Sequence, residues 1–194
     1  MTNLCKWHDF YMKASGPVCF GGDRSYRIAG EFLKDCSRVE DWGAGTCWLR
    51  QYIAGEYVGI DGSGPHVEVM ADLVDYTSEV EGICLRHVLE HNDEWRAILT
   101  NALGSMRKRL VIILSVPLAE TDTEVSFDES VGMPHISLCQ KELMEMVMKL
   151  PPAKDAVRAD ITQIGTETYV FVSMDVEHEQ AVAKAVCAIG MKHG

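Results

Sequence analysis

The chain reads as an α/β protein with a doubly wound, mostly parallel sheet that ends in an antiparallel C-terminal hairpin. Three observations predict it. Short apolar runs alternate with segments of helical period through most of the 194 residues. The run Leu110-Val111-Ile112-Ile113-Leu114 is apolar on both faces, as a central parallel strand must be. Asp41, Asp61, Asp72 and Arg86 each stand at the end of an expected strand, the edge at which open α/β sheets bind ligands.

Each element has its own warrant. Residues 1–25 are rich in aromatics and glycine and are expected to form an irregular or partly helical cap; residues 26–194 are expected to form the main domain. Ile28, Ala29, Phe32 and Leu33 make a helical stripe over 26–34. A first strand ends at Asp41, and a glycine turn leads into a helix near 47–53, stopped by Gly55. Tyr57-Val58-Gly59-Ile60 is the second strand, Val67-Glu68-Val69-Met70 the third and Gly82-Ile83-Cys84-Leu85 the fourth. Asn92 or Asp93 can cap a helix with Trp95, Ile98, Leu99, Ala102, Leu103 and Met106 on one face. Residues 110–114 are the fifth strand, followed by a loop of about twenty residues. Ser137 and Gln140 have capping-box spacing before a helix carrying Leu143, Met146, Val147 and Leu150, which Pro151 and Pro152 end. Gly165-Thr166-Glu167 joins the two arms of the terminal hairpin, and a last helix over 177–191 buries Val182, Val186 and Ile189.

Bulk properties exclude several classes. A formal net charge of -11 argues against nucleic acid or an anionic membrane as a partner. Arg107, Lys108 and Arg109 form the one short basic cluster, read as solvating a helix end and complementing its negative pole. Seven cysteines occur singly with no C-x-x-C pair, which fits reduced thiols in a cytoplasmic protein better than a disulfide framework or a structural zinc site. No signal peptide and no membrane-spanning run is expected.

The chemistry concentrates in four segments: Val39-Glu40-Asp41-Trp42-Gly43-Ala44-Gly45-Thr46, Tyr57-Val58-Gly59-Ile60-Asp61, Ala71-Asp72-Leu73 and Arg86-His87-Val88-Leu89-Glu90-His91. In this order they resemble the class I S-adenosylmethionine-dependent methyltransferases of the small-molecule type, over roughly residues 26–174. The resemblance implies a Rossmann-like fold with S-adenosylmethionine as cofactor and a small molecule as acceptor of the methyl group at oxygen or nitrogen. It implies that Asp41, Gly43, Ala44 and Gly45 form the turn beneath the cofactor, Asp61 and Gly62 meet the ribose, and Ala71, Asp72 and Leu73 meet the adenine. A carbonyl of Leu85 or Arg86 would face the ammonium group. The residue types suit those tasks: a carboxylate accepts from two hydroxyls at once, and a glycine lets backbone approach a ligand closely.

Two departures are visible. The usual third glycine is Cys47, and residues 62–66 leave no room for a helix between the second and third strands, so the sheet is expected to be trimmed there. A dinucleotide site would need a glycine where Trp48 stands. His87 and His91 are candidate proton acceptors, and Trp7, Tyr11, Tyr26 and His135 are candidate contacts to the acceptor. Two alternative functions are a catalytically inactive, methyltransferase-like partner subunit and a zinc hydrolase using His87, Glu90 and His91 in an H-x-x-E-H pattern. The oligomeric state is open, a homodimer being one option.

Overall fold

Residues 24–114 fold as alternating helices and strands in the computed structural model, which describes residues 7–13, 16–129, 132–149, 157–174 and 177–188. A short helix α1 (His8–Met12) lies in the cap and precedes α2 (Arg24–Leu33) and β1 (Arg38–Trp42). Then come β2 (Glu56–Asp61), β3 (Val69–Met70), β4 (Val80–Arg86), α3 (Trp95–Ser105) and β5 (Met106–Leu114). The chain continues through β6 (Thr123–Asp128), β7 (Met133–Ser137), α4 (Gln140–Met148), β8 (Arg158–Ile164), β9 (Glu167–Ser173) and α5 (His178–Cys187).

Seven strands form one sheet in the order β3-β2-β1-β4-β5-β9-β8. β1 to β5 run parallel, β9 runs antiparallel to β5, and β8 pairs with β9 across the turn at Gly165. The two-residue period of β5 divides the core. Leu110, Ile112 and Leu114 join α3 and α4 on one face, while Val111 and Ile113 join α2 and α5 on the other. Each such fully buried side chain stabilises the fold by roughly 1.5–3 kcal/mol.

Residues 62–68 contain no helix, as expected, and residues 71–79 hold only a turn. β3 is two residues long rather than four. Glu68 instead turns its side chain back, with Oε2 accepting from the Gly59 amide at 2.8 Å.

Four local expectations are corrected. The segment after the glycine turn is one five-residue 3-10 helix, Trp48–Tyr52, because Cys47 before it is left-handed (φ 60°) and Ile53 after it is extended. Asn92 does not cap α3; its amide donates to the Val88 carbonyl at 2.6 Å, and the helix starts after Glu94 without a side-chain cap. The loop after β5 carries the β6–β7 hairpin, a sheet of its own. Ser137 closes β7 rather than opening α4; Asp122 Oδ1 takes the Cys139 amide at 2.7 Å, so a distant residue holds the helix start. Leu150, Pro151, Pro152, Ile189 and Met191 lie outside the described residues.

The basic cluster does complement helix C-termini, but of two helices. Arg107 donates to Gly104 O at the end of α3, while Lys108 and Arg109 donate to Asp35 O and Phe32 O beyond and within the last turn of α2. Arg109 is buried, not solvated.

α5 is pinned by a buried histidine. His178 Nδ1 lies 2.8 Å from Ser173 Oγ and Nε2 lies 3.1 Å from Asp160 Oδ2, so one ring joins α5, β9 and β8. His178→Ala leaves the buried Ser173 hydroxyl without its partner, and we expect a loss of about 2 kcal/mol. Thermal unfolding followed by circular dichroism should show a fall of roughly 4–8 °C. Adding Ser173→Ala should cost little more, since the two act as one unit.

Candidate active site

The carboxyl ends of β1, β2 and β4, adjacent and parallel, open on a cavity of about 280 Å³. The turn after β1 forms its floor. Gly43 (φ 79°) and Gly45 (φ 53°) are both left-handed, and the amides of Gly43 and Ala44 donate to the Ile60 carbonyl at 2.7 and 3.1 Å. A Cβ at Gly43 would come within 2.3 Å of Val88 Cγ2, so glycine is required twice over, by conformation and by space.

Asp61, at the tip of β2, is 7% exposed. Its Oδ2 accepts from the Gly45 amide at 2.9 Å and its Oδ1 from the Ser63 amide at 2.8 Å. Each oxygen keeps a further lone pair. Burial pushes this carboxyl up to about 6, against the lowering effect of the Gly45, Ser63 and Gly62 amides. Asp41 is the second buried acid of the cavity. Burial pushes it up to about 7, although the Tyr57 hydroxyl donates to it at 2.8 Å and Arg86 lies near. A positive charge or hydrogen-bond donor brought into the cavity would offset the cost of ionising these two buried acids, so the site favours such groups.

Arg86 ends β4 and serves as a clasp. Its Nε donates to Ser25 Oγ at 2.8 Å, Nη1 to the Tyr26 hydroxyl at 3.0 Å and Nη2 to the Phe20 carbonyl at 2.7 Å. The guanidinium also lies 4.1 Å from the Tyr26 ring centroid. The cap thereby folds back over the strand ends. Trp7 N–H donates to Ser63 Oγ at 2.9 Å, and Val18 N–H donates to Thr46 Oγ1 at 2.8 Å. Tyr11 lies over the turn, within 3.1 Å of where a Cβ on Gly45 would stand.

His87 follows with φ at +54°, a left-handed conformation that costs a non-glycine residue of order 1–3 kcal/mol. Its Nε2 lies 2.9 Å from Glu167 Oε1. His91 Nδ1 lies 3.0 Å from the Pro134 carbonyl, which leaves Nε2 as the ring's acceptor; burial lowers the pKa of this histidine.

Of the expected site residues, Trp7, Tyr11, Tyr26, Asp41, Gly43, Ala44, Gly45, Asp61, Gly62, Ala71, Leu73, Arg86, His87 and His91 line this one cavity. Asp72, Leu85 and His135 do not. The Asp72 carboxylate accepts from the Val74 amide in its own turn, Leu85 is fully buried within β4, and the His135 ring packs edge-on against His91 at 4.6 Å. Phe10, Phe20, Val88, Asn92, Ile98 and Met133 complete the lining. Phe10 and Phe20 carry the aromatic signal of the cap; Met133 reaches the cavity only through the β6–β7 hairpin, where the sequence predicts a loop.

The H-x-x-E-H residues diverge. His87 meets Glu167, Glu90 Oε1 accepts from the Ser115 amide and hydroxyl, and His91 meets Pro134. Among the described residues no group of three His, Cys, Asp or Glu side chains is arranged to hold a metal, so zinc hydrolysis is not favoured. Nor is any helix among them long and apolar enough to cross a membrane.

No protein-family model matches the sequence, and no curated protein matches it. Solved structures do. The 1,6-didemethyltoxoflavin N1-methyltransferase of Burkholderia thailandensis, bound to 1,6-didemethyltoxoflavin and S-adenosylhomocysteine, is 13% identical with a TM-score of 0.56, over 78% of this chain and 78% of that one. An O-methyltransferase family protein from the same organism is 16% identical with a TM-score of 0.55, over 77% of this chain; the match spans only 54% of that longer chain. The DhpI–SAH complex is 18% identical with a TM-score of 0.54, over 77% and 84% of the two chains. With its strand order, its antiparallel β9 between β5 and β8, and these likenesses, the chain has the fold of the class I S-adenosylmethionine-dependent methyltransferases.

Proposed function

We propose that the protein transfers a methyl group from S-adenosylmethionine to an oxygen or nitrogen of a small molecule. The observation that carries this reading is the meeting of Asp41, the Gly43–Gly45 turn and Asp61 around one cavity under an aromatic cap. The residues fit the cofactor by their chemistry. The glycine turn is a cradle that a Cβ would obstruct, and two buried acids seek donors and positive charge. A ribose diol, an ammonium and a sulfonium are such groups.

Asp61 would hold the ribose hydroxyls, the Gly43–Gly45 turn would lie beneath the methionine portion, and Asp41 would favour its ammonium charge. Ala71 and Leu73 would wall the adenine; the backbone of Leu73 would take the polar contact, since Asp72, which accepts from the Val74 amide, does not line the cavity. When bound, the cofactor supplies a methyl group activated by positive sulfur. The protein supplies alignment and, through Trp7, Tyr11 and Phe20 in the cap, exclusion of water.

Calorimetric titration with S-adenosylmethionine at about pH 8 and about pH 5.5 tests the reading. Ionised Asp41 and Asp61 bind the cofactor, and their pKa values near 7 and 6 place their protonation within that interval. Affinity should therefore weaken as pH falls, by roughly tenfold or more. Stability of the free protein runs the other way. Acids raised on folding favour the native state at low pH, and that contribution fades as pH rises from about 4 towards 7. Absence of binding at both pH values refutes the proposal.

A further inference from the structure

A hydrogen-bonded histidine–carboxylate pair stands at the wall of the cavity. His87 lines the cavity in its left-handed turn, with Nε2 at 2.9 Å from Glu167 Oε1. Glu167 is itself held in place. Its Oε2 accepts from the Tyr169 hydroxyl at 2.7 Å, and Arg86 Nη2 lies 3.6 Å from Oε1. Burial alone would raise this carboxyl, but the bonds to His87 and Tyr169 and the Arg86 charge overcome it and hold the group down at about 2. An ionised carboxylate can only accept, so in the neutral ring His87 Nε2 carries the proton and Nδ1 keeps the lone pair.

The remaining lining limits what can bind there. Trp7, Phe10, Phe20 and Met133 present flat or apolar surface. Among the described residues the charged side chains of the lining are the acids Asp41 and Asp61 and the single cation Arg86, whose guanidinium already serves Ser25, Tyr26 and Phe20. An anionic acceptor would enter a cavity with no cation left to neutralise it.

Resting on the methyltransferase reading, we propose that the acceptor is an uncharged planar compound bearing a hydroxyl, that His87 Nδ1 receives the hydroxyl proton, and that Glu167 is the positioning residue that fixes the ring for this task. The O–H bond breaks and its proton passes to Nδ1. The oxygen's electron pair forms the bond to the methyl carbon as the carbon–sulfur bond breaks with its pair on sulfur. The imidazolium that results faces the Glu167 carboxylate, then releases its proton to solvent. A neutral amine already has its nucleophilic pair and can lose its proton after transfer; a hydroxyl gains most from a base beforehand.

The test uses the full chain saturated with S-adenosylhomocysteine and two probes, naphthol and its carboxylated analogue hydroxynaphthoate. Calorimetry should show naphthol binding at least about tenfold tighter. Equal or tighter binding of the naphthoate, or no binding of either, overturns the substrate class. Nitrogen NMR of the wild type should show His87 as the Nε2–H tautomer, and Glu167→Gln should give a mixture. The same variant should keep its affinities for S-adenosylhomocysteine and naphthol within about threefold while methylating naphthol roughly tenfold or more slowly. His87→Asn, which tolerates the left-handed backbone, should still bind S-adenosylhomocysteine and lose turnover by roughly 100-fold or more. An unchanged tautomer and rate in Glu167→Gln, or a wild-type rate in His87→Asn, overturns the assignment. Failure of wild type to bind S-adenosylhomocysteine is a distinct result that overturns the methyltransferase reading and this proposal with it.

Discussion

Asp61→Ala should weaken S-adenosylmethionine binding by roughly 100-fold or more, since two hydrogen bonds to a charged acceptor contribute about 1.5–3 kcal/mol each. The carboxylate has two tasks. It faces the cavity, and it tethers the glycine turn through the Gly45 amide and the start of the next segment through the Ser63 amide. Asp61→Asn separates these tasks: the amide oxygen still accepts from one backbone N–H, while the charge and one acceptor are gone. That variant should lose roughly tenfold in affinity. Calorimetry reads the binding and a thermal melt reads the fold. Binding at wild-type strength in a folded Asp61→Ala protein would show that the ribose lies elsewhere.

Arg86→Met should lower stability by about 3–5 kcal/mol, the usual loss when one partner of a buried charged network is removed. The melting temperature should fall by roughly 10 °C for a chain of this size. Methionine fills much of the volume but offers nothing to Ser25 Oγ, the Tyr26 hydroxyl or the Phe20 carbonyl. Because those acceptors belong to the cap and the first turn of α2, the loss is also local. Amide hydrogen exchange over residues 16–22 should rise well beyond that of β4, whose pairing with β1 and β5 is untouched. A loss below about 1 kcal/mol with a protected cap would mean that the aromatic contacts alone hold it.

The sheet was legible because its central strands leave little choice. A run such as Leu110–Leu114, apolar at every position, can be satisfied only between two helical layers, and the acids that end β1 and β2 mark the ligand edge. What escaped reading depends on partners far along the chain. α4 starts where Asp122 reaches Cys139, seventeen residues apart, while the nearby Ser137 and Gln140 carry the local signature of a cap and do not form one. β6 is exposed along nearly its whole length, with a bulge near Val125, so no buried face announces its pairing with β7. In the site, the acids and glycines were visible as motif, and the cap aromatics as composition. Glu167 was not, because nothing in residues 165–169 hints that β9 brings this carboxylate to a histidine eighty residues earlier.

The insertion of β9 between β5 and β8 has a consequence for how the molecule comes into being. A nascent chain that has reached the end of β5 has built five parallel strands, yet the most apolar of them still has one unpaired rim. That rim stays open through the synthesis of more than fifty further residues, until β9 arrives at Glu167–Ser173. The strand that closes this rim is thus the last strand to be translated, and a nascent chain has most need of shelter from its neighbours just before synthesis reaches β9.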